Sequence, residues 1–162
     1  CKLWIKGLYQ PPMFTFEVFY KFLMPGWIKV NSDGVSKGNP GPAGCGAIFR
    51  DSHGQCLGFF FSGCGIASAL ESKMMGVIHA IAFAIQKGWM NLWFESDSTT
   101  IFQAICKGMT HLSWPLTTRW MMCLDSLMGM HYIATHVYYE ANIVADTLAN
   151  KGINQELTWL DT

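Results

Sequence analysis

Residues 27–34, Trp-Ile-Lys-Val-Asn-Ser-Asp-Gly, read as an alternating strand. Ile28, Val30 and Ser32 fall on one face, and Lys29, Asn31 and Asp33 on the other. The strand delivers one carboxylate, Asp33, to its end. A loop of turn residues follows, from Val35-Ser36-Lys37 through Gly38-Asn39-Pro40-Gly41-Pro42-Ala43-Gly44. Its glycines and prolines fix a tight turn and leave the backbone open to close approach. In isolation, a strand ending in Asp-Gly is the mark of a hairpin. Two later aspartates, Asp97 and Asp146, sit where they could stand beside Asp33 and so give the stretch a second meaning.

A chain of 162 residues, 51% of them apolar, holds one domain with ample core material and a short extension. Its formal charge is zero, which weighs against avid phosphate-driven binding to nucleic acid. The six cysteines show no C-x-x-C pair and no framework spacing; they read as reduced thiols of an intracellular protein, nuclear or cytoplasmic and not secreted. The apolar run Met74–Ile85 contains His79 and is too short to span a bilayer, so no membrane association is expected. The first residue is Cys1 rather than Met, which reads as a fragment or a processed product. Residues 1–26 keep no sustained period and read as a linker or the remnant of an upstream segment.

The domain proper is expected over 27–152, with 153–162 as a tail. Residues 43–50 and 55–62 read as two further strands joined by the hairpin residues Asp51-Ser52-His53-Gly54, making an antiparallel meander of three. A helix from about Ser68 to Lys87 follows, with Ser68 and Glu71 as a capping box and Gly88 as its stop. Leu70, Met74, Val77, Ile81 and Ala84 share its buried face, and Lys73 lies at the edge of that face. Glu71, two positions earlier, points roughly 160–200° away from Lys73. Residues 91–97 read as a fourth strand, parallel to the first because a helix connects them. Two helices (to Lys107 and from Pro115), a fifth strand over 131–139 and a last helix capped by Asn142 complete the order. The expected class is α/β: a mixed five-stranded sheet, three antiparallel strands and then parallel ones, flanked by helices, with polar ligands at the strand ends.

Asp33 and Asp97 end neighbouring strands, and Asp146 enters from the first turn of the last helix. Carboxylates converging on one edge repel unless a cation lies between them, and an all-oxygen set selects Mg²⁺ or Mn²⁺ over zinc. Two such ions could activate water against a phosphodiester, with His136 moving protons near the leaving group. Each residue also has a plain structural reading. Asp97 with Ser98 can start a helix, Asp146 can answer a helix dipole, and His136 can simply pack.

The stretch 27–34 with 38–44, then Glu95-Ser96-Asp97-Ser98, then 136–149 (His-Val-Tyr-Tyr-Glu-Ala-Asn-Ile-Val-Ala-Asp-Thr-Leu-Ala) resembles a type 1 ribonuclease H domain. The wording is similar to the plant version found in retrotransposon-derived reverse-transcriptase proteins. Four motifs recur in order over Trp27 to about Gly152. The resemblance implies the mixed five-stranded ribonuclease H-like fold and Mg²⁺-dependent hydrolysis of the RNA strand of an RNA/DNA hybrid, with two ions. It implies metal ligation by Asp33, Asp97 and Asp146, and His136 as the mobile histidine. It also implies contact with the hybrid at Gly38, Asn39 and Ser98. The implied partner is an RNA/DNA hybrid or other nucleic acid, met as a monomer or as part of a larger reverse-transcriptase polyprotein.

One position departs. The family's catalytic glutamate lies on the first helix, two residues after a commonly acidic position. Aligning Glu71-Ser72-Lys73 on that pattern puts Lys73 where the glutamate belongs and leaves Glu71 in the earlier, non-ligand place, a poor substitute already committed to capping. Tyr139 stands where plant relatives usually carry Arg, and Ala141 where they carry Gly. The expectation is a hybrid ribonuclease with impaired chemistry, or else a catalytically inactive retroelement-derived module or relic that binds nucleic acid weakly.

Overall fold

The computed structural model describes residues 25–108 and 112–162. Expectations for residues 1–24 lie outside the described residues. The elements run β1 (Ile28–Ser36), β2 (Gly41–Arg50), β3 (Cys56–Ala67), α1 (Ala69–Gln86), β4 (Asn91–Ser96), α2 (Thr99–Lys107), α3 (Trp114–Met128), β5 (His131–His136), a 3₁₀ turn (Tyr139–Ala141), α4 (Ile143–Gly152) and β6 (Thr158–Asp161). The sheet has six strands in the order β5-β4-β1-β2-β3-β6. β1 pairs antiparallel with β2 and parallel with β4, β4 pairs parallel with β5, and β3 and β6 extend the antiparallel side.

The alternation in β1 sorts its side chains as the sequence implies. Val30 is fully buried beneath α1 with Ala47, Phe49, Phe60, Met74, Val77, Ile81 and Ala84. α4 covers the other face, where Leu148 packs on Ile48 and Phe61. The capping box of α1 is present in full: Ser68 Oγ accepts from the Glu71 amide at 3.2 Å, and the Glu71 carboxylate accepts from the Ser68 amide at 3.0 Å. α2 ends at Gly108, whose φ of 70° is the left-handed cap that glycine adopts without strain.

Three readings change. The fifth strand stops at His136: the Val137 amide makes a last bond to the Ser96 carbonyl at 3.0 Å, and Tyr138 leads into the 3₁₀ turn. Residues 158–161, read as tail, form β6 instead. Trp159 carries that strand: its ring stacks on Phe83 at 4.5 Å and lies 5.4 Å from Phe49, and a Cβ on Gly58 would meet it at 2.5 Å. Trp159 is partly buried, so Trp159→Ala is expected to cost about 2–3 kcal/mol, somewhat below the range for a fully buried Trp. Urea denaturation of the two chains measures it.

The third change is Asn142. It holds the N-cap position of α4, yet its side chain makes no cap bond. It is 1% exposed and turns into the sheet, donating to the Ser32 carbonyl at 3.2 Å and accepting from Asn31 at 3.5 Å. Asn31 donates to Glu95 at 2.9 Å and accepts from Arg50 at 3.1 Å, and Lys29 pairs with Glu95 at 3.0 Å. This buried polar network ties the start of α4 to β1, β2 and β4. Buried polar groups are tolerated when each finds partners, and these do.

His79 lies on α1 against the edge of Phe60, with ring centroids 5.9 Å apart. Burial, assisted by Arg119, pushes its pKa from 6.5 down to about 4. Its neutral form is therefore the folded form. Stability is full above pH 6.5 and is lost as pH falls from there toward 4, by about 3 kcal/mol in total. Denaturant melts between pH 7 and pH 4 are expected to show this loss, and His79→Leu to flatten it.

Candidate active site

Two backbone contacts bring α1 onto the end of β1. A Cβ on Gly34 would lie 2.2 Å from the Lys73 nitrogen and the Ser72 carbonyl carbon, and a Cβ on Gly76 would lie 2.9 Å from the Asp33 carbonyl oxygen. Glycine at both places lets helix and strand touch, which places Lys73 directly over Asp33. The Lys73 ammonium is paired with Asp33 Oδ1 and donates to Asp97 Oδ1 at 3.2 Å. Asp33 is 3% exposed, and its Oδ1 also accepts from the Gly34 amide at 2.8 Å.

Burial pushes the Asp33 carboxyl above its usual range, with Asp97 adding to the effect and the Lys73 ammonium opposing it. Burial would lower Lys73, but Asp33 and then Asp97 outweigh it, so its pKa stands above the ordinary lysine value. The ammonium is therefore kept through neutral pH. Its contribution to stability is full below pH 10.5 and is lost only as pH rises above that.

Asp146 stands in the first turn of α4. Tyr139 donates its hydroxyl to Asp146 Oδ2 at 3.4 Å. That hydroxyl is held above the usual phenol range by Asp146 first, with Asp33 and Asp97 contributing at longer range. His136 Nε2 lies 2.9 Å from the Asp97 backbone carbonyl, a hydrogen bond in which the ring nitrogen donates.

Glu71 is turned away. Its carboxylate serves Ser68, with Ser113 as a further donor, and these bonds hold its pKa below the usual carboxylate value. Asn39, expected to face a ligand, accepts from the Ala69 amide at 2.8 Å and so caps α1 from the loop, beside Gly38. Ser98 caps α2, accepting from the Ile101 amide at 3.3 Å. Sequence reasoning missed Tyr139 as a partner of Asp146. It also missed the Asn31, Glu95 and Asn142 network behind the site. One signal was available: Lys29 and Asn31 share the Asp33 face of β1, and Glu95 stands two places before Asp97.

A bound pair of divalent ions does not fit this donor set as it stands. Among the described residues no group of three or more His, Cys, Asp and Glu side chains is arranged to hold a metal. The Lys73 ammonium fills the space between Asp33 and Asp97 that a cation would need.

The sheet order and the carboxylates at its centre define a ribonuclease H fold. The solved RNase H1 of the halophilic archaeon Halobacterium salinarum superposes with a TM-score of 0.71 at 24% identity, over 79% of this chain and 98% of that one. LC11-RNase H1, solved in complex with an RNA/DNA hybrid, gives 0.70 at 23% identity, over 78% and 96%. The family described as reverse transcriptase-like matches residues 31–152, and the chain belongs to that family. An Arabidopsis thaliana protein named for ribonuclease H is 37% identical over 133 residues, covering 82% of this chain. The chain spans only 21% of that relative's length. The ribonuclease H of Polynucleobacter asymbioticus is 28% identical over 151 residues, covering 80% of this chain and 92% of the relative. No helix among the described residues is long and apolar enough to cross a membrane.

Proposed function

We propose that this chain is a ribonuclease H-like nucleic-acid-binding domain in which Mg²⁺-dependent hydrolysis of the RNA strand of an RNA/DNA hybrid is lost or strongly impaired. Asp33, Asp97 and Asp146 are the ligands the reaction would need, and His136 is its proton carrier. Lys73 takes the place of the fourth carboxylate. The observation that carries the reading is the Lys73 ammonium lodged between Asp33 and Asp97. It neutralises part of the carboxylate repulsion without an ion, so the fold keeps its site while the chemistry does not proceed.

The competing reading, an active enzyme in which Glu71 stands in, is disfavoured because Glu71 is bound to Ser68 and faces away from the aspartates. A hybrid or other nucleic acid remains the partner, held weakly given the zero formal charge. The solved relative with an RNA/DNA hybrid supports that ligand class by analogy of fold. The test is a cleavage assay on an RNA/DNA hybrid with Mg²⁺ or Mn²⁺, run beside a binding assay on the same hybrid. Binding without cleavage is expected. Robust cleavage that disappears in Asp97→Asn would overturn the proposal.

A further inference from the structure

Cys45 and Cys64 lie on adjoining strands and on one face of the sheet. Cys45 of β2 stands opposite Ser62 of β3, so Cys64 is its diagonal neighbour. Both pack with the core beneath α1, Cys45 fully buried and Cys64 partly so. In a regular ladder such diagonal neighbours stand ~7–8 Å apart. The ladder is not regular here. Gly44 pairs with Gly63 and Ala43 with Gly65, which leaves Cys64 as the extra residue of a bulge. Gly65 takes a φ of 67°, a left-handed turn that glycine makes without strain, and Gly63 flanks the other side. Released from the ladder's spacing, the Cys64 sulfur accepts a hydrogen bond from the Cys45 thiol.

Solvent reaches Cys64 rather than Cys45. Cys64 lines a cleft between β3, α1 and α3, with Glu71, Met75, Ser113, Leu116 and Arg119 around it. The bond from Cys45, helped by the Arg119 guanidinium against the cost of burial, holds the Cys64 thiol below its usual pKa. The same bond, together with burial, pushes Cys45 above its own. The thiolate is the nucleophilic form of cysteine, so Cys64 is the accessible attacker and Cys45 its buried, proton-bearing partner. We propose that the two form an oxidisable dithiol: hydrogen peroxide oxidises Cys64 in the cleft, and Cys45 then closes on it as a disulfide between β2 and β3. The Cys64 thiolate attacks one peroxide oxygen, the O–O bond breaks and hydroxide leaves. Sulfur gives up two electrons and becomes a sulfenic acid. The Cys45 sulfur then attacks the Cys64 sulfur, the S–O bond breaks, and the hydroxyl departs as water with the Cys45 proton. Two thiols and one peroxide thus yield one disulfide and two waters. This inference is independent of the nucleic-acid reading.

The full chain, reduced, freed of reductant and treated with a small molar excess of hydrogen peroxide, is digested with trypsin without reduction and mapped by mass spectrometry. Residues 38–50, which contain Cys45, are expected to be linked to residues 51–73, which contain Cys56 and Cys64. Dithiothreitol should separate them. Cys56→Ser should keep the link, and Cys64→Ser should abolish it. In Cys45→Ser the sulfenic acid has no partner, and dimedone should label Cys64 at least tenfold more than Cys106 or Cys123. In urea the choice of partner should vanish, because the fold makes it. Thiols of the native chain left intact by peroxide that oxidises free cysteine would overturn the proposal. So would a link from residues 38–50 to any other peptide, or one that survives in Cys64→Ser. Equal dimedone labelling of Cys64, Cys106 and Cys123, or the same choice of partner in urea, would overturn it as well.

Discussion

In Mg²⁺ buffer, Lys73→Glu is expected to cleave the RNA strand of an RNA/DNA hybrid that the unaltered chain leaves intact, with a gain of orders of magnitude in rate. The substitution adds an oxygen donor and removes the competing ammonium in one step. The electrostatic stake is large: at ~4 Å and an effective dielectric near 20, a unit-charge pair contributes about 4 kcal/mol, and a divalent ion doubles the charge. Asp33 and Asp97 already flank the Lys73 ammonium, and His136 is bonded to the Asp97 backbone. A second readout needs no turnover. Without Mg²⁺ the variant should be less stable by about 2–4 kcal/mol, toward the lower end for breaking a buried pair, because Lys73 is about a quarter exposed. Adding Mg²⁺ should raise its melting temperature and leave that of the unaltered chain where it was. Asp97→Asn in the Lys73→Glu background should abolish both effects. Recovery of rate is expected to be partial, since Tyr139 still holds Asp146.

Gly34→Ala is expected to unfold the domain or to destabilise it by more than about 4 kcal/mol. The added methyl would stand 2.2 Å from two backbone atoms of α1 and 2.5 Å from a third, the Ser72 oxygen. Side chains can turn aside, but a helix backbone seated on a central strand has no such freedom, so overpacking becomes separation of the two elements. Gly129→Ala is the control. Its methyl would meet nothing closer than 3.7 Å, so its stability should stay within about 0.5 kcal/mol of the parent. Equilibrium denaturation of the three chains decides the point, and a Gly34→Ala chain of near-parent stability would show that α1 does not rest on β1 as described.

Much of the fold was legible because its signals are local. The alternation of β1, the Ser68–Glu71 capping box and the apolar face of α1 each depend on residues a few positions apart. The opposite orientations of Lys73 and Glu71 were legible for the same reason, since two steps on a helix turn a side chain nearly to the far side. What escaped depends on partners far away in sequence. β6 is four residues long, too short to show a period, and exists because Phe83 and β3 receive Trp159. Asn142 looked like a cap because it stands before a helix; the Ser32 carbonyl that claims it lies 110 residues earlier. Asn39, matched to a ligand contact by resemblance, spends its side-chain oxygen on the α1 backbone.

The clasp of β6 over β3 has a consequence for how the protein behaves in company. β3 is the longest strand, 12 residues, and carries Phe59, Phe60 and Phe61 in succession. Were its outer edge bare, it would offer a foreign chain a row of unpaired amides beside an aromatic surface, the template on which aggregates grow. β6 pairs with that edge from Gly58 to Phe61. It then presents outward a strand of only four residues, whose last, Asp161, is held by Lys87 at 2.6 Å. A long and adhesive border is thereby exchanged for a short and charged one. The residues that looked like an idle tail serve as the sheet's guard against self-templating.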